Sequence, residues 1–335
     1  MSNLNLSSLF GDASSSDAIR SMFNRRLLER GQYEWIHGFV FRRESLMESN
    51  GDTMIFRRYP ALSLPSGQLQ EGVAPSPKVK TKVDVATTLK IYGDVIEDTA
   101  FLRRTQPEDV QAVNVDLLGQ QMGEYMDQLD RNAFTTGTNL IFSNGASVAA
   151  VNTIVDADDL NRALRLLKNN KSKPFVPEIT ASVRIGTFPI RESWWALCDT
   201  NVEIDLWKLS DFRQVHEYGN SQSAIVGEIG SFKNGLRFLA SPNGYVQLGA
   251  GATGGTSVQE TSTNADVYSI FCVGQESVVG VDLANMNGGV IVKPFESGGP
   301  ENPLNMRSTT GWIKYYTNAI LNNAFFVTVH CAVSV

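Results

Sequence analysis

Several residue groupings in this 335-residue chain have the types and spacing that chemistry could use. Gly249, Gly251 and Gly254 spell GxGxxG, the pattern that lets a backbone approach a pyrophosphate at the start of a helix. That use needs a strand before the glycines and a helix after them. Here Gly255, Thr256 and Ser257 lead into more polar chain, so the glycines read as an exposed loop. Asp156, Asp158 and Asp159 could gather a cation, but they sit where a helix begins, and carboxylates are favoured there by the helix dipole. His37, His216 and His330 are far apart and form no HExxH pair, and no GxSxG occurs. His330 lies in an alternating segment and reads as a packed or interfacial residue. Cys198, Cys272 and Cys331 are odd in number and widely spaced, which suits buried reduced thiols rather than a disulfide framework or a CxxC metal site. Trp194 and Trp195, beside Leu197, read as core rather than as a sugar platform. Lys78, Lys80 and Lys82 form a small basic run, read as a solvated strand face or as a contact with acidic residues of a neighbour. No acid, base, nucleophile and metal set converges, so the expectation is a protein without an active site, cofactor or metal.

Composition narrows the class further. Hydrophobic residues make up 42% and charged residues 19%, which is globular. The net charge of −6 argues against a protein whose main task is gripping phosphate. The first residues, MSNLNLSSLFGDASSS, lack the basic and apolar regions of a secretory signal, and no apolar run reaches a membrane-spanning length. Synthesis and folding in a cytoplasm are expected.

Residues 1–50 read as an arm. Ser16 can cap a short helix with Ile19, Met22, Phe23 and Leu27 on one face, and Tyr33–Phe41 is aromatic-rich. Thr53–Tyr59 reads as a strand, followed by a long loop punctuated by Pro60, Pro65, Gly67, Gly72, Pro75 and Pro77. From Thr81 to Ile91 the period becomes two, a second strand of roughly 36 Å at 3.3 Å per residue. Together these make a projecting hairpin. Residues 105–136 predict a long helix, with Thr105, Pro107 and Glu108 as its capping box and Gly137 as its stop. Val110, Val113, Leu117, Met122, Tyr125, Met126 and Leu129 are its expected apolar stripe. A second helix is capped by Asp156 and buries Leu160, Ala163, Leu164 and Leu167. Beyond Phe175 a mixed region follows. Strands are expected at 179–185, 236–240, 267–273, 277–281 and 325–333, and a helix at Arg191–Leu197.

These features and six local segments carry a resemblance. GQLQEGVAP (67–75), IYGDVIEDT (91–99), MDQLDRNAFTTG (126–137), RIGTFPIRESWW (184–195), VGEIGSFKNGLRFLASPN (226–243) and NPLNMRSTTGWIKYYTNAILNNAFFVTVHCAVS (302–334) appear in this order. Over residues 50–335 the chain resembles major capsid proteins of tailed, particularly short-tailed, bacteriophages. The resemblance implies an α+β Hong Kong 97-type capsid fold. Its parts would be an N-terminal arm (1–50), an extended hairpin loop (51–98), a peripheral domain with a spine helix (99–174), an axial domain (175–300) and a C-terminal return to the peripheral domain (301–335). It implies self-association into hexamers and pentamers of an icosahedral shell, with the hairpin lying over a neighbouring subunit. Portal, scaffolding and decoration or cement proteins are the other expected partners. The genome would be enclosed but weakly held, and the location would be the virion, assembled in a host bacterial cytoplasm. No membrane is involved, and nothing marks a cross-linking lysine. The candidate contact residues are Gln68, Leu69, Glu71, Lys78, Lys80 and Lys82 on the hairpin, and Met22, Phe23 and Trp35 on the arm. A nanocompartment shell of the same fold is the alternative, and a surface adhesin or glycan-binding module a more distant one.

Overall fold

A computed structural model describes residues 35–49, 51–65, 67–68, 71–72, 74, 77–105, 110–175, 192–217, 227–232, 235–254, 257–284, 289–293, 304 and 306–335. Its elements, in chain order, are β1 (Arg42–Leu46), β2 (Thr53–Arg58), β3 (Val83–Thr88), β4 (Lys90–Thr99), α1 (Ala100–Thr105), α2 (Val110–Phe134), β5 (Leu140–Phe142), α3 (Ala157–Asn169), β6 (Trp194–Asp199), α4 (Glu203–Trp207), β7 (Phe212–Gln214), β8 (Glu228–Phe232), β9 (Leu236–Ser241), β10 (Val246–Gln247), β11 (Glu260–Thr261), β12 (Asn264–Ala265), β13 (Val267–Val273), β14 (Val278–Leu283), β15 (Gly289–Lys293), β16 (Arg307–Ile320) and β17 (Phe326–Cys331).

Two sheets organise the molecule. The larger runs β5-β17-β13-β6-β9-β8-β7, with β10 on β13. Its central strands β6, β13 and β17 are buried throughout, as strands covered on both faces must be. Trp194, Ala196 and Cys198 of β6 face α3, which contributes Leu160, Ala163, Leu164 and Leu167. Trp195 and Leu197 face the opposite way, onto Phe41, Phe134 and Phe271. The smaller sheet runs β1-β14-β16-β15, and β4 pairs along the other edge of β16. Residues 309–313 of β16 pair with both β15 and β4, which places those two on opposite sides.

Helix α2 joins the sheets. At about 1.5 Å per residue its 25 residues span roughly 37 Å. Val115, Leu118, Met122 and Met126 pack beneath the smaller sheet against Tyr92, Ile96, Val290, Trp312 and Tyr316. Phe134 at its end enters the larger sheet's core, stacking on Phe271 with ring centroids 5.2 Å apart.

The structure changes several expectations. The Arg191–Leu197 segment is not helical where it is described: Trp194–Asp199 is a central strand, paired in parallel with β9. Its unbroken apolar run is what a strand buried on both faces requires. The capping box expected at Thr105, Pro107 and Glu108 falls largely outside the described residues. Thr105 itself ends α1, its hydroxyl donating to the carbonyls of Phe101 and Leu102. The apolar stripe of α2 is as expected only in part: Met122, Met126 and Leu129 pack inward, but Val113, Leu117 and Tyr125 are exposed. The strand expected over 81–91 breaks at Leu89, whose N–H donates to Asp52 O; beyond it the chain leaves β2 and joins β16. The 179–185 strand and the arm helix with Met22 and Phe23 fall outside the described residues. Asp156 caps α3 with Asp159 in a reciprocal capping box, as its sequence suggests.

The sheets do not follow the linear partition. Strands β14 and β15, in the span assigned to an axial region, belong to the smaller sheet with β4 and β16. Strand β5 lies on the larger sheet, and α3 packs against it. The C-terminal segment contributes to both: β16 is central in one, and β17 lies between β5 and β13 in the other.

Candidate subunit interfaces

The hairpin β2–β3 pairs Thr53–Arg58 with Val83–Thr88. Its base is held by the body: Met54 and Phe56 pack on Leu46, Val279, Val281 and Ala319, and the Thr87 and Thr317 hydroxyls are 3.0 Å apart. Its outer part is exposed and apolar, with Ile55, Leu62, Leu64 and Val79 open to solvent. Pro60 and Pro65 in this stretch deny backbone donors, so it projects rather than extends the ladder.

The candidate contact residues divide accordingly. Gln68 and Glu71 are exposed near the tip, and Leu69 lies outside the described residues. The three lysines are exposed but already engaged within the hairpin. Lys78 Nζ donates to Ser63 O and to Leu64 O. Lys80 Nζ lies 5.2 Å from the Tyr59 ring centroid, and Lys82 Nζ lies 3.2 Å from Asp84.

Trp35 is committed to its own chain rather than held out for a neighbour. Its Nε1 donates to Asp130 Oδ2 (2.8 Å), and the Arg43 guanidinium and Lys314 ammonium lie over its ring at 4.1 and 4.4 Å. Asp130 Oδ1 also accepts from the Tyr316 hydroxyl (2.5 Å) and Asn318 Nδ2 (3.1 Å). Burial pushes the Asp130 carboxyl upward, against the Arg43 charge and these donors. Burial pushes Lys314 downward, against the Asp282 carboxylate 3.3 Å away.

The other groupings are structural. Trp194 and Trp195 are core. Gly249 takes a left-handed φ of 60°, and a Cβ on Gly251 would collide with Val151 O; the glycines serve close loop packing. Among the described residues no three or more His, Cys, Asp or Glu side chains gather as a metal site.

Sequence reasoning missed the surfaces that the fold leaves uncovered. On the smaller sheet, alternate residues of β4 face away from α2, and Ile91 (64% exposed) and Val95 (60%) stand open there. Ile313 and Tyr315, their neighbours on β16, are half-buried. Ile291 extends this face across β15. On α2 the outward stripe is Val113, Leu117, Gln121 and Tyr125. Phe101, Leu102, Leu304 and Met306 form an exposed apolar tip where α1 meets the start of β16. The i, i+4 recurrence of 113, 117, 121 and 125 was visible in the sequence; its outward direction was not.

Charge is also sorted. Residues 51–89 carry five cations and three carboxylates, whereas β4 and α2 carry two cations and seven carboxylates, of which Asp98, Asp127 and Asp130 are buried.

Against known proteins, no family model matches the chain and no curated protein matches it. Solved structures do. The capsid of Ralstonia phage GP4 is 10% identical with a TM-score of 0.64, over 89% of this chain and 88% of that one. The cyanophage Pam1 capsid is 15% identical with a TM-score of 0.60, over 88% and 89%. A virus-like particle from Pyrococcus furiosus is 10% identical with a TM-score of 0.50, over 93% and 99%. At these identities the likeness is one of fold.

Proposed function

We propose that this chain, which has the Hong Kong 97-type capsid fold, is the major structural subunit of a tailed-phage head and acts by self-association. The observation that carries the reading is the uncovered apolar surface on two parts of one chain. The hairpin presents Ile55, Leu62, Leu64 and Val79, and the sheet face presents Ile91, Val95 and Ile291. Apolar surface of this extent, left wet in a single copy, marks an interaction site. The hairpin is basic and β4 exposes the carboxylates of Asp94 and Glu97, so one copy's hairpin suits its neighbour's sheet and not its own kind.

In this reading the smaller sheet with α2 is the peripheral unit and the larger sheet the axial unit. Copies close into hexamers and pentamers, and many modest contacts sum into a stable shell. Gln68, Glu71, Lys78, Lys80 and Lys82 ride on the hairpin to the next subunit. The genome is enclosed and held weakly, in keeping with the net charge of −6. Portal, scaffolding and decoration proteins complete the head, and assembly takes place in the host cytoplasm. Among the described residues no helix is long and apolar enough to cross a membrane.

Negative-stain microscopy with sedimentation of the purified chain tests this. Shells, or rings of five or six, are expected. Deleting residues 63–77 should leave β2–β3 paired and the protomer soluble while abolishing closed shells. Normal particles from that deletion would refute the hairpin's role. The alternative of a cargo-enclosing nanocompartment draws on the likeness to the Pyrococcus particle. Co-purified protein instead of DNA would favour it.

A further inference from the structure

Strand β4 has a paired neighbour, β16, on one edge only among the described residues. Between β4, the paired Trp312 of β16 and α2 lies a groove of about 340 Å³. Tyr92, Tyr125 and Trp312 form its walls, and Asp94 and Gln121 are its polar groups. Tyr92 and Tyr125 meet edge to face with centroids 5.6 Å apart. Trp312 Nε1 donates to Gln121 Oε1 (3.3 Å), which orients the amide so that its Nε2 donates to Asp94 Oδ2 (2.5 Å). Asp94 Oδ1 accepts from the Val95 N–H (2.8 Å).

This arrangement has a preferred ligand. A carboxylate can accept about four hydrogen bonds, and the bonds named for Asp94 take two, so acceptor capacity remains on an exposed group. The Gln121 and Val95 donors hold its carboxyl below the usual range, so the charge persists. Aromatic rings beside a fixed negative charge favour a planar cation, which can stack on the rings and bond the carboxylate together.

The hairpin supplies one. Lys78, Lys80, Lys82 and Arg57 each have a partner within the hairpin. Arg58 is exposed, has no ion-pair or hydrogen-bond partner among the described residues, and occupies the last rung of the ladder, opposite Val83. It therefore sits at the outer end of the paired strands, beyond Met54 and Phe56, where the hairpin leaves its own body.

We infer that the β4–α2 groove receives the Arg58 side chain from the hairpin of a second copy, with Asp94 as its charge partner and Tyr125 as a stacking surface. The inference rests on the shell-subunit reading and adds to it a defined receptor and a defined guest.

The test is charge exchange in the full chain, read as the critical concentration for shell formation in sedimentation. Asp94→Lys and Arg58→Glu should each raise it by about tenfold, and the double variant should return it towards the wild-type value. Both positions are exposed, so unchanged unfolding midpoints are expected; where Asp94→Lys fails to fold, Asp94→Asn is read as a single variant only, and it too should raise the critical concentration. Single variants that assemble as the wild type does would overturn the inference, as would two impaired single variants with no recovery in the double. A wild-type chain that never assembles would instead overturn the shell-subunit reading, and the groove's occupant with it.

Discussion

Asp127 holds His37 by both of its carboxylate oxygens: Oδ1 accepts the His37 backbone N–H at 2.6 Å, and Oδ2 lies 2.9 Å from His37 Nδ1. Both side chains are buried, and they join the segment leading into β1 to the C-terminal half of α2. Two further ties act beside them, Trp35 to Asp130 and Phe41 against Phe134. This short stretch touches α2, the core of the larger sheet and the smaller sheet at once, so it fastens the two sheets together. Asp127→Ala would strand a buried N–H and a buried imidazole. It should cost about 3 kcal/mol, measured by urea unfolding, and should make the chain near residue 36 sensitive to limited proteolysis.

Neighbouring leucines on α2 should behave oppositely. Leu118 is 1% exposed beneath the sheet and Leu117 is 55% exposed. Leu118→Ala should destabilise by about 3 kcal/mol through lost burial and a cavity. Leu117→Ser should change stability by no more than about 0.5 kcal/mol while lowering the yield of shells. Equal unfolding midpoints for the two variants would show that the helix faces are misassigned.

The same helix shows how far the sequence could be read. Its existence and approximate span were legible from periodicity, as were Met122 and Met126 on its buried face, but the polar part of that face was not. That face contains Asn114, Asp127 and Asp130, which an apolar-stripe argument rejects. Each is satisfied by a residue distant in sequence: Asn114 by Asp98, Asp127 by His37, and Asp130 by Trp35 and Tyr316. The capped start of α3 and the alternation of β17 were legible because they depend on local chemistry. Strand β6 was not, because a short apolar run buried on both faces carries no period, and its parallel partner β9 lies about forty residues on. The hairpin was visible in its prolines and alternation. The surface proposed to receive it was not, since Tyr92 and Tyr125 come together only once β4 joins β16 above α2.

The three thiols should be inert in the native protein. Cys198, Cys272 and Cys331 are all buried. Burial pushes the Cys272 thiol up to about 12 and raises the other two, so little thiolate exists at neutral pH. A colorimetric disulfide reagent at pH 8 should label none of them within minutes, and all three in denaturant. Rapid native labelling would mean that the central strands of the larger sheet open locally.

Acid should weaken that sheet through His330. Its ring stacks on Phe142 with centroids 5.3 Å apart, and its Nδ1 lies 2.9 Å from Ser269 Oγ. Burial depresses its pKa to about 4, whereas an unfolded histidine titrates near 6.5. The folded state thus binds the proton less tightly than the unfolded one. The neutral ring's contribution is complete above about pH 6.5 and declines as pH falls from there towards 4, by about 2–3 kcal/mol over the interval. His330→Gln removes the titrating group while retaining a polar side chain opposite Ser269. Urea midpoints at pH 7 and pH 4.5 should therefore differ more in the wild type than in the variant. An identical pH dependence in the two proteins would move the acid sensitivity away from His330.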